Sequence, residues 1–308
     1  MAKRPTWYKP DLQLSARMLL TMFLLGAVYT IFLFILFRLG VSAILLLVIA
    51  AVILCVQLFF SDKIALYSMG AREIDESEQP QLHALITRLA AQANLPKPKV
   101  AIVDTSLPNA FATGRSKNHA VVAVTTGLLN RLSTPELEAV LAHELTHIIN
   151  RDMTVMTIAM FLSMVASLLV NMLMWAGLYG GFGGRRSRDN EGGSIILLVW
   201  LVSLLVYAIS FVLIRALSRY REYAADRGSA LITGAPENLA SALMRIEGTI
   251  QSGRIPDRDL RQAQGVSPMM IMPALKGENG LEIFSTHPSL EHRIERLQNM
   301  QRQMERAR

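Results

Sequence analysis

Four blocks of the chain are apolar without interruption, and the stretches between them carry the mixed patterns of a folded domain. Met18 to Phe37 and Val41 to Phe60 are each 20 residues without a charge, and Met153 to Gly181 and Ser194 to Ile214 run uncharged for longer. Each is long enough to cross a hydrocarbon core of about 30 Å at about 1.5 Å per residue, so the pattern predicts four transmembrane helices. The first run exceeds the apolar core of a signal peptide, and no small-x-small cleavage site precedes the second, so it is read as retained. Only Arg38, Leu39 and Gly40 separate the first two blocks, which predicts a tight hairpin. Gly180 to Gly193, rich in glycine and carrying Arg185, Arg186 and Arg188, joins the later two. Four crossings put the N-terminus, residues 61–152 and everything after Ile214 on one side.

The intervening pattern reads as one domain split by the later hairpin. The expected organisation is 1–60, a tail and first hairpin; 61–152, the first domain part; 153–214, the second hairpin; and 215–308, the second part. In Gln79 to Leu95, Leu82, Leu85, Ile86 and Leu89 recur at helical spacing. Lys99 to Asp104 and His119 to Thr125 are rich in β-branched residues and predict strands. Pro108 to Gly114 between them fits a short edge strand or a loop. Ser133, Thr134, Pro135 and Glu136 offer a capping residue, a first-turn proline and a glutamate three places on, which starts a helix. That helix meets no breaker before Met153. The fourth block likewise continues past Ile214 and is expected to stop near Gly228. Residues 252–280 read as a long loop covering a cleft, and Ser289 to Arg308 as a charged amphipathic helix with a solvated face. The fold class is therefore a mainly α membrane protein with four transmembrane helices and a split cytoplasmic α+β domain.

Composition agrees with a membrane protein. Hydrophobic residues make up 52% of 308, charged residues 18%, and the mean hydropathy is +0.34, which excludes an ordinary soluble domain. All but Arg38 and the three hairpin arginines of the 31 lysines and arginines fall on the side of the split domain. Lys3, Arg4, Lys9 and Arg17 before the first block make that side cytoplasmic, while the hairpin arginines pull mildly the other way. A net charge of +7 suits contact with anionic lipid headgroups, and without a nucleic-acid-binding module it does not suggest nucleic acid. The one cysteine, Cys55, excludes an intramolecular disulfide or a thiolate zinc site.

The candidate chemistry lies in His143-Glu144-Leu145-Thr146-His147. Residues four apart share a helix face, so both imidazoles can point at one metal ion. Glu144, one step round, reaches a water on that metal without being a ligand, as in metalloproteases. A catalytic zinc needs a third protein ligand. Glu222 is the choice. His147 stands six residues before the third block and Glu222 eight after the fourth, roughly 9 and 12 Å above the apolar boundary on continuous helices. Asp226, four residues on, shares its face and can accept the second ring N–H of a ligand histidine. His83, His119 and His292 lack metal-like partners and are read as surface residues.

The pentapeptide with Asn150 and Asp152 behind it, Glu222-Tyr223-Ala224-Ala225-Asp226, His287-Pro288 and Asn109-Ala110-Phe111-Ala112 together resemble the HtpX-type membrane metalloproteases. The resemblance covers nearly the whole chain. It implies a gluzincin fold, one zinc ion per subunit, the cytoplasmic membrane of a prokaryote, and stress-related quality-control proteolysis of membrane proteins. Carried over, His143, His147 and Glu222 are zinc ligands and Glu144 the general base. Polypeptides and the lipid bilayer are the expected partners. His287, with Arg293 six residues on, is a candidate to stabilise the oxyanion, and a blocking contact of His287 with the metal fits the spacing as well. Asn109 to Ala112 would be an edge strand to which substrate adds through its backbone.

Two rivals remain on sequence grounds. A transporter would place ionisable groups near the bilayer midplane, and all four blocks lack charges. A metal-holding scaffold without activity would close its site with four ligands and has no use for Glu144.

Overall fold

A computed structural model describes residues 12–38, 42–179, 190–253, 255–264, 270–272 and 285–307. Its elements are α1 (Leu12–Arg38), α2 (Ala43–Ser68), β1 (Arg72–Glu73), α3 (Pro80–Gln92), β2 (Lys99–Val103), β3 (Ala110–Thr113), β4 (Val121–Thr125), α4 (Thr126–Leu129), α5 (Thr134–Ile149), α6 (Asp152–Tyr179), α7 (Asn190–Thr233), α8 (Pro236–Gln251), α9 (Asp257–Gln264) and α10 (Leu290–Arg306). The chain divides into two compact units, one holding Phe60–Thr154 and Ser218–Arg308, the other Ser15–Phe59 and Val155–Leu217.

The second unit is helical. Three stretches among the described residues, Leu12–Arg38, Asp152–Asn171 and Leu197–Thr233, are long and apolar enough to cross a membrane. Most of the second apolar block lies in α2, and many of that helix's apolar side chains lie outside the described residues. The Tyr29 hydroxyl donates to the Ala159 carbonyl at 2.6 Å, and Phe32, Leu36, Ala166 and Leu217 are fully enclosed. The connector after Tyr179 falls outside the described residues up to Asn190, as does the three-residue turn predicted between the first two blocks.

In the first unit the four strands lie in the order β1-β2-β4-β3. β2 and β4 are parallel, and β3 runs antiparallel to β4 with Ala112 opposite Val122. The Pro108 to Gly114 stretch thus resolves as an edge strand. Alternate residues of β4 serve opposite faces: Val122 and Val124 pack with α3, α5 and α8, while Val121 and Ala123 pack with Met69, Leu107, Phe111, Ile255, Ala263 and Met270. That period of two buries the sheet on both sides. α5 starts as its sequence dictates: the Ser133 backbone N–H donates to Glu136 at 2.9 Å, and the same carboxylate takes Ser241 Oγ–H at 2.6 Å and Arg245 Nε at 2.7 Å.

Four expectations need correction. The motif helix does not run on into the third block. It ends at Ile149, Arg151 takes a left-handed φ of 56°, and α6 begins anew at Asp152. The height argument, which assumed continuous helices, loses its basis on that side. Gly228 does not stop α7, which continues to Thr233 and ends before Gly234 at φ 68°. Instead, a Cβ at Gly228 would lie 2.2 Å from Thr146 Cγ2, so α5 and α7 approach too closely there for any side chain. His83 is buried, 6% exposed, not on the surface. The 252–280 stretch contains α9, pinned by Asp259, which accepts the Thr105 hydroxyl at 2.6 Å; 273–280 lies outside the described residues.

Candidate active site

Two helices supply the centre. α5 carries His143, Glu144 and His147 on its buried face, and α7 carries Glu222 and Asp226 one turn apart. Their close approach at Gly228 and Thr146, reinforced by Ser229 Oγ–H donating to the Ala139 carbonyl at 2.7 Å, sets the spacing. His143 Nε2 stands 3.2 Å from His147 Nε2 and 3.6 Å from Glu222 Oε2, and His147 Nε2 is 3.5 Å from Glu222 Oε1. The imidazoles meet nearly perpendicular, at 86°. These three residues form a group able to hold a metal ion.

The donor set fits zinc. Ligand atoms about 2.0–2.2 Å from a tetrahedral zinc stand about 3.3–3.6 Å apart, and the three separations straddle that range closely. Each imidazole turns its other nitrogen to a carboxylate: His143 Nδ1 lies 3.0 Å from Asp226 Oδ1, and His147 Nδ1 donates to Asp152 Oδ2 at 2.6 Å. With the proton held on Nδ1, both Nε2 lone pairs face inward. Two lone pairs and a buried carboxylate so close repel one another unless a cation stands among them. The same field draws protons. Burial disfavours charge on His143, but Asp226 and Glu222 outweigh it and raise its pKa to about 9.

The carboxylates divide by environment. Burial works against the charge of Glu222, yet His287, His143 and His147 hold it well below the usual range. Asp226 and Asp152 also stay below theirs against burial, the first chiefly through Arg293 and the second through Arg221, whose Nε lies 3.0 Å away. Glu144 goes the other way. It is 1% exposed, and burial pushes it up to about 7 against the opposing pull of His143, His147 and the Ala112 backbone N–H. A carboxyl poised near neutrality beside a metal-competent triad is suited to exchanging protons.

Arg293 is fully enclosed behind His143 and Glu222. Its Nε and Nη2 donate to the two oxygens of Asp226 at 2.9 and 2.6 Å, and its Nη1 donates to the Ile271 carbonyl at 2.8 Å. His287 reaches the same centre, its Nδ1 3.4 Å from Glu222 Oε2. Asn109 leads directly into β3, which Ala110 to Ala112 begin beside α5, and Ala112 lines a cleft with Gly114, Lys117, His147 and Arg151. All the residues singled out from sequence are thus gathered in the first unit. The part played by Asp152 was not legible: five positions on a continuous helix turn about 500°, which would place it well away from His147.

The sequence pattern of peptidase family M48 matches residues 76–301. The chain belongs to peptidase family M48. This M48 chain is 56% identical to a protease HtpX homolog of Moorella thermoacetica over 97% of its own length and 98% of that protein's. Protease HtpX homolog 2 of Methanosarcina mazei shares 56% over 96% and 98%, and protease HtpX homolog 1 of Streptomyces coelicolor 47% over 94% and 93%. The fold resembles that of Ste24p from S. mikatae, with a TM-score of 0.56 at 21% identity over 93% of this chain and 67% of that one. Family membership makes the protein a metallopeptidase acting on polypeptides, and its apolar helices make it a membrane protein.

Proposed function

We propose that this M48 metallopeptidase is a zinc-dependent endopeptidase of the cytoplasmic membrane that degrades misfolded or damaged membrane proteins. In this reading four helices cross the bilayer and the split catalytic domain faces the cytoplasm, as the basic residues Lys3, Arg4, Lys9 and Arg17 ahead of the first apolar block favour. His143, His147 and Glu222 hold one zinc ion per subunit. When bound, zinc supplies a Lewis acid that lowers the pKa of a water towards ~7 and polarises a substrate carbonyl.

Glu144 is the general base. Held at about 7 by burial, its carboxylate takes a proton from the attacking water and returns it to the departing amine. Asp226 and Asp152 fix the two imidazoles with Nε2 inward. Arg293 anchors Asp226 from behind, a positioning task rather than contact with substrate. His287, 3.4 Å from Glu222, is the group available to the developing oxyanion. Substrate adds to the edge of β3 through main-chain hydrogen bonds, which tolerate varied side chains and suit degradation.

The observation that carries this reading is the convergence of three donors at zinc spacing beside a buried glutamate whose carboxyl is poised near neutrality. A metal site that merely stiffened the fold would give that carboxylate no purpose. Metal analysis and casein cleavage on purified wild type, chelator-treated wild type and Glu144→Gln test it together. Expected are one zinc in wild type and in Glu144→Gln, with cleavage in the untreated wild type alone. Undiminished cleavage by Glu144→Gln would overturn the assignment.

A further inference from the structure

Among the described residues, β3 has one edge against β4 and no strand paired along the other. Asn109 turns its main chain to β4, accepting the Thr125 N–H at 3.0 Å, so the backbone groups of Ala110 and Ala112 point outward. These are the groups that an added strand would use. At Ala110 they are already engaged. The Ile271 N–H donates to the Ala110 carbonyl at 3.3 Å and to Asn109 Oδ1 at 3.0 Å, and Asn109 Nδ2 donates to the Met272 carbonyl at 2.8 Å. Arg293 holds the Ile271 carbonyl on the far side. Met270, Ile271 and Met272 are 1 to 5% exposed.

We infer that Ile271 and Met272 act as a fixed stop on the substrate-binding edge, so that substrate pairs with this enzyme only from Ala112 towards Gly114. The inference rests on the reading of β3 as the substrate edge. The stop is not an exchangeable flap. Displacing it would strip the buried Arg293 of one acceptor, leave Asn109 Nδ2 without its Met272 acceptor, and bring three apolar side chains out of the core. A hydrogen bond gained by an incoming strand does not offset those losses. Ala112 is left as the outward rung, lining a cleft with His147 and turning its N–H to the Glu144 carboxylate. Substrate residues on the Ala112 side of the scissile bond are therefore read through their backbone, while those on the Ala110 side must turn away and make no strand contacts. The stop is a specificity-determining element, and it demands a chain flexible enough to bend just past the bond that is cut.

An N-methyl scan tests this. A peptide cut at one mapped bond is made in a series with each backbone nitrogen methylated in turn, and kcat/KM is measured with the full-length enzyme in detergent. Expected is a loss of about three- to tenfold for each blocked bond, confined to one side of the scissile bond. Equal sensitivity on both sides would overturn the stop while keeping the edge strand. Insensitivity throughout would overturn the edge strand and the stop with it. Ile271→Pro, which lacks the donating N–H, should extend sensitivity to the second side with zinc content unchanged. An active Ile271→Pro enzyme with the wild-type one-sided profile would count against the stop. Because the wild-type scan decides by itself, a variant that fails to fold does not leave the matter open.

Discussion

His147 donates its Nδ1 proton to Asp152 at 2.6 Å although five positions separate the two residues, and the left-handed turn at Arg151 makes the contact possible. The break between α5 and α6 is thus part of the proposed metal centre. It folds the first turn of α6 back so that an acid supports the second histidine as Asp226 supports the first.

Asp152→Asn keeps the shape of the side chain and removes its charge. Zinc affinity should fall about 10- to 100-fold, the usual consequence of losing a carboxylate behind a ligand histidine. Competition against a chelator of known affinity measures this, and an unchanged affinity would show that His147 needs no such support.

Glu222→Gln should lower the zinc content of the purified protein far more than Glu144→Gln does. Glu222 stands within 3.6 Å of both Nε2 atoms. A full complement of metal in the Glu222 variant would move the third ligand elsewhere.

Gly228→Ala separates packing from propensity. In an open helix the change would stabilise by about 0.5–1 kcal/mol. Here the new methyl meets Thr146 at 2.2 Å, and overpacking costs about 1–3 kcal/mol, so a net loss is expected. Thermal unfolding of Gly228→Ala should show a lower midpoint, with partial recovery on adding Thr146→Ala. A higher midpoint would mean that α5 and α7 are not in close contact.

Glu136 ties the start of α5 to α8 through Ser241 and Arg245. Burial opposes its charge, but the hydroxyls of Ser241 and Ser133 and the Arg245 guanidinium hold its pKa below 4.5. A carboxyl with a depressed folded value stabilises above its unfolded pKa and loses that contribution as pH falls through the folded one. Denaturant titrations of wild type and Glu136→Gln should therefore differ most near neutrality and converge as acid carries the pH down through the depressed folded value. A gap that does not shrink with acid would assign the effect to lost hydrogen bonds alone.

Much of this centre is legible in the residue pattern because its parts are local. His143 and His147 share a face by helical period, and Glu222 and Asp226 do so by the same spacing. The capping of α5 by Ser133 and Glu136 is written in four consecutive residues. What escapes are contacts created where periodicity fails. Arg151 adopts a conformation that a β-unbranched residue tolerates without announcing it. Gly228 reads as a terminator when its work is to let two helices touch. The seat of Ile271 on Asn109 joins stretches 162 residues apart and uses only the backbone of one partner, so no side-chain pattern betrays it. His83 looks exposed because its helix turns an otherwise polar position inward.

The buried pairing of Arg293 with Asp226 spans 67 residues and also has a bearing on biosynthesis. The ribosome delivers both histidines first, then the two later apolar blocks before Glu222 and Asp226 exist, and only afterwards adds the arginine that neutralises Asp226. A nascent chain caught midway through insertion thus holds no finished scissors. The order of translation itself shields neighbouring polypeptides, and the unfinished molecule, from premature cutting.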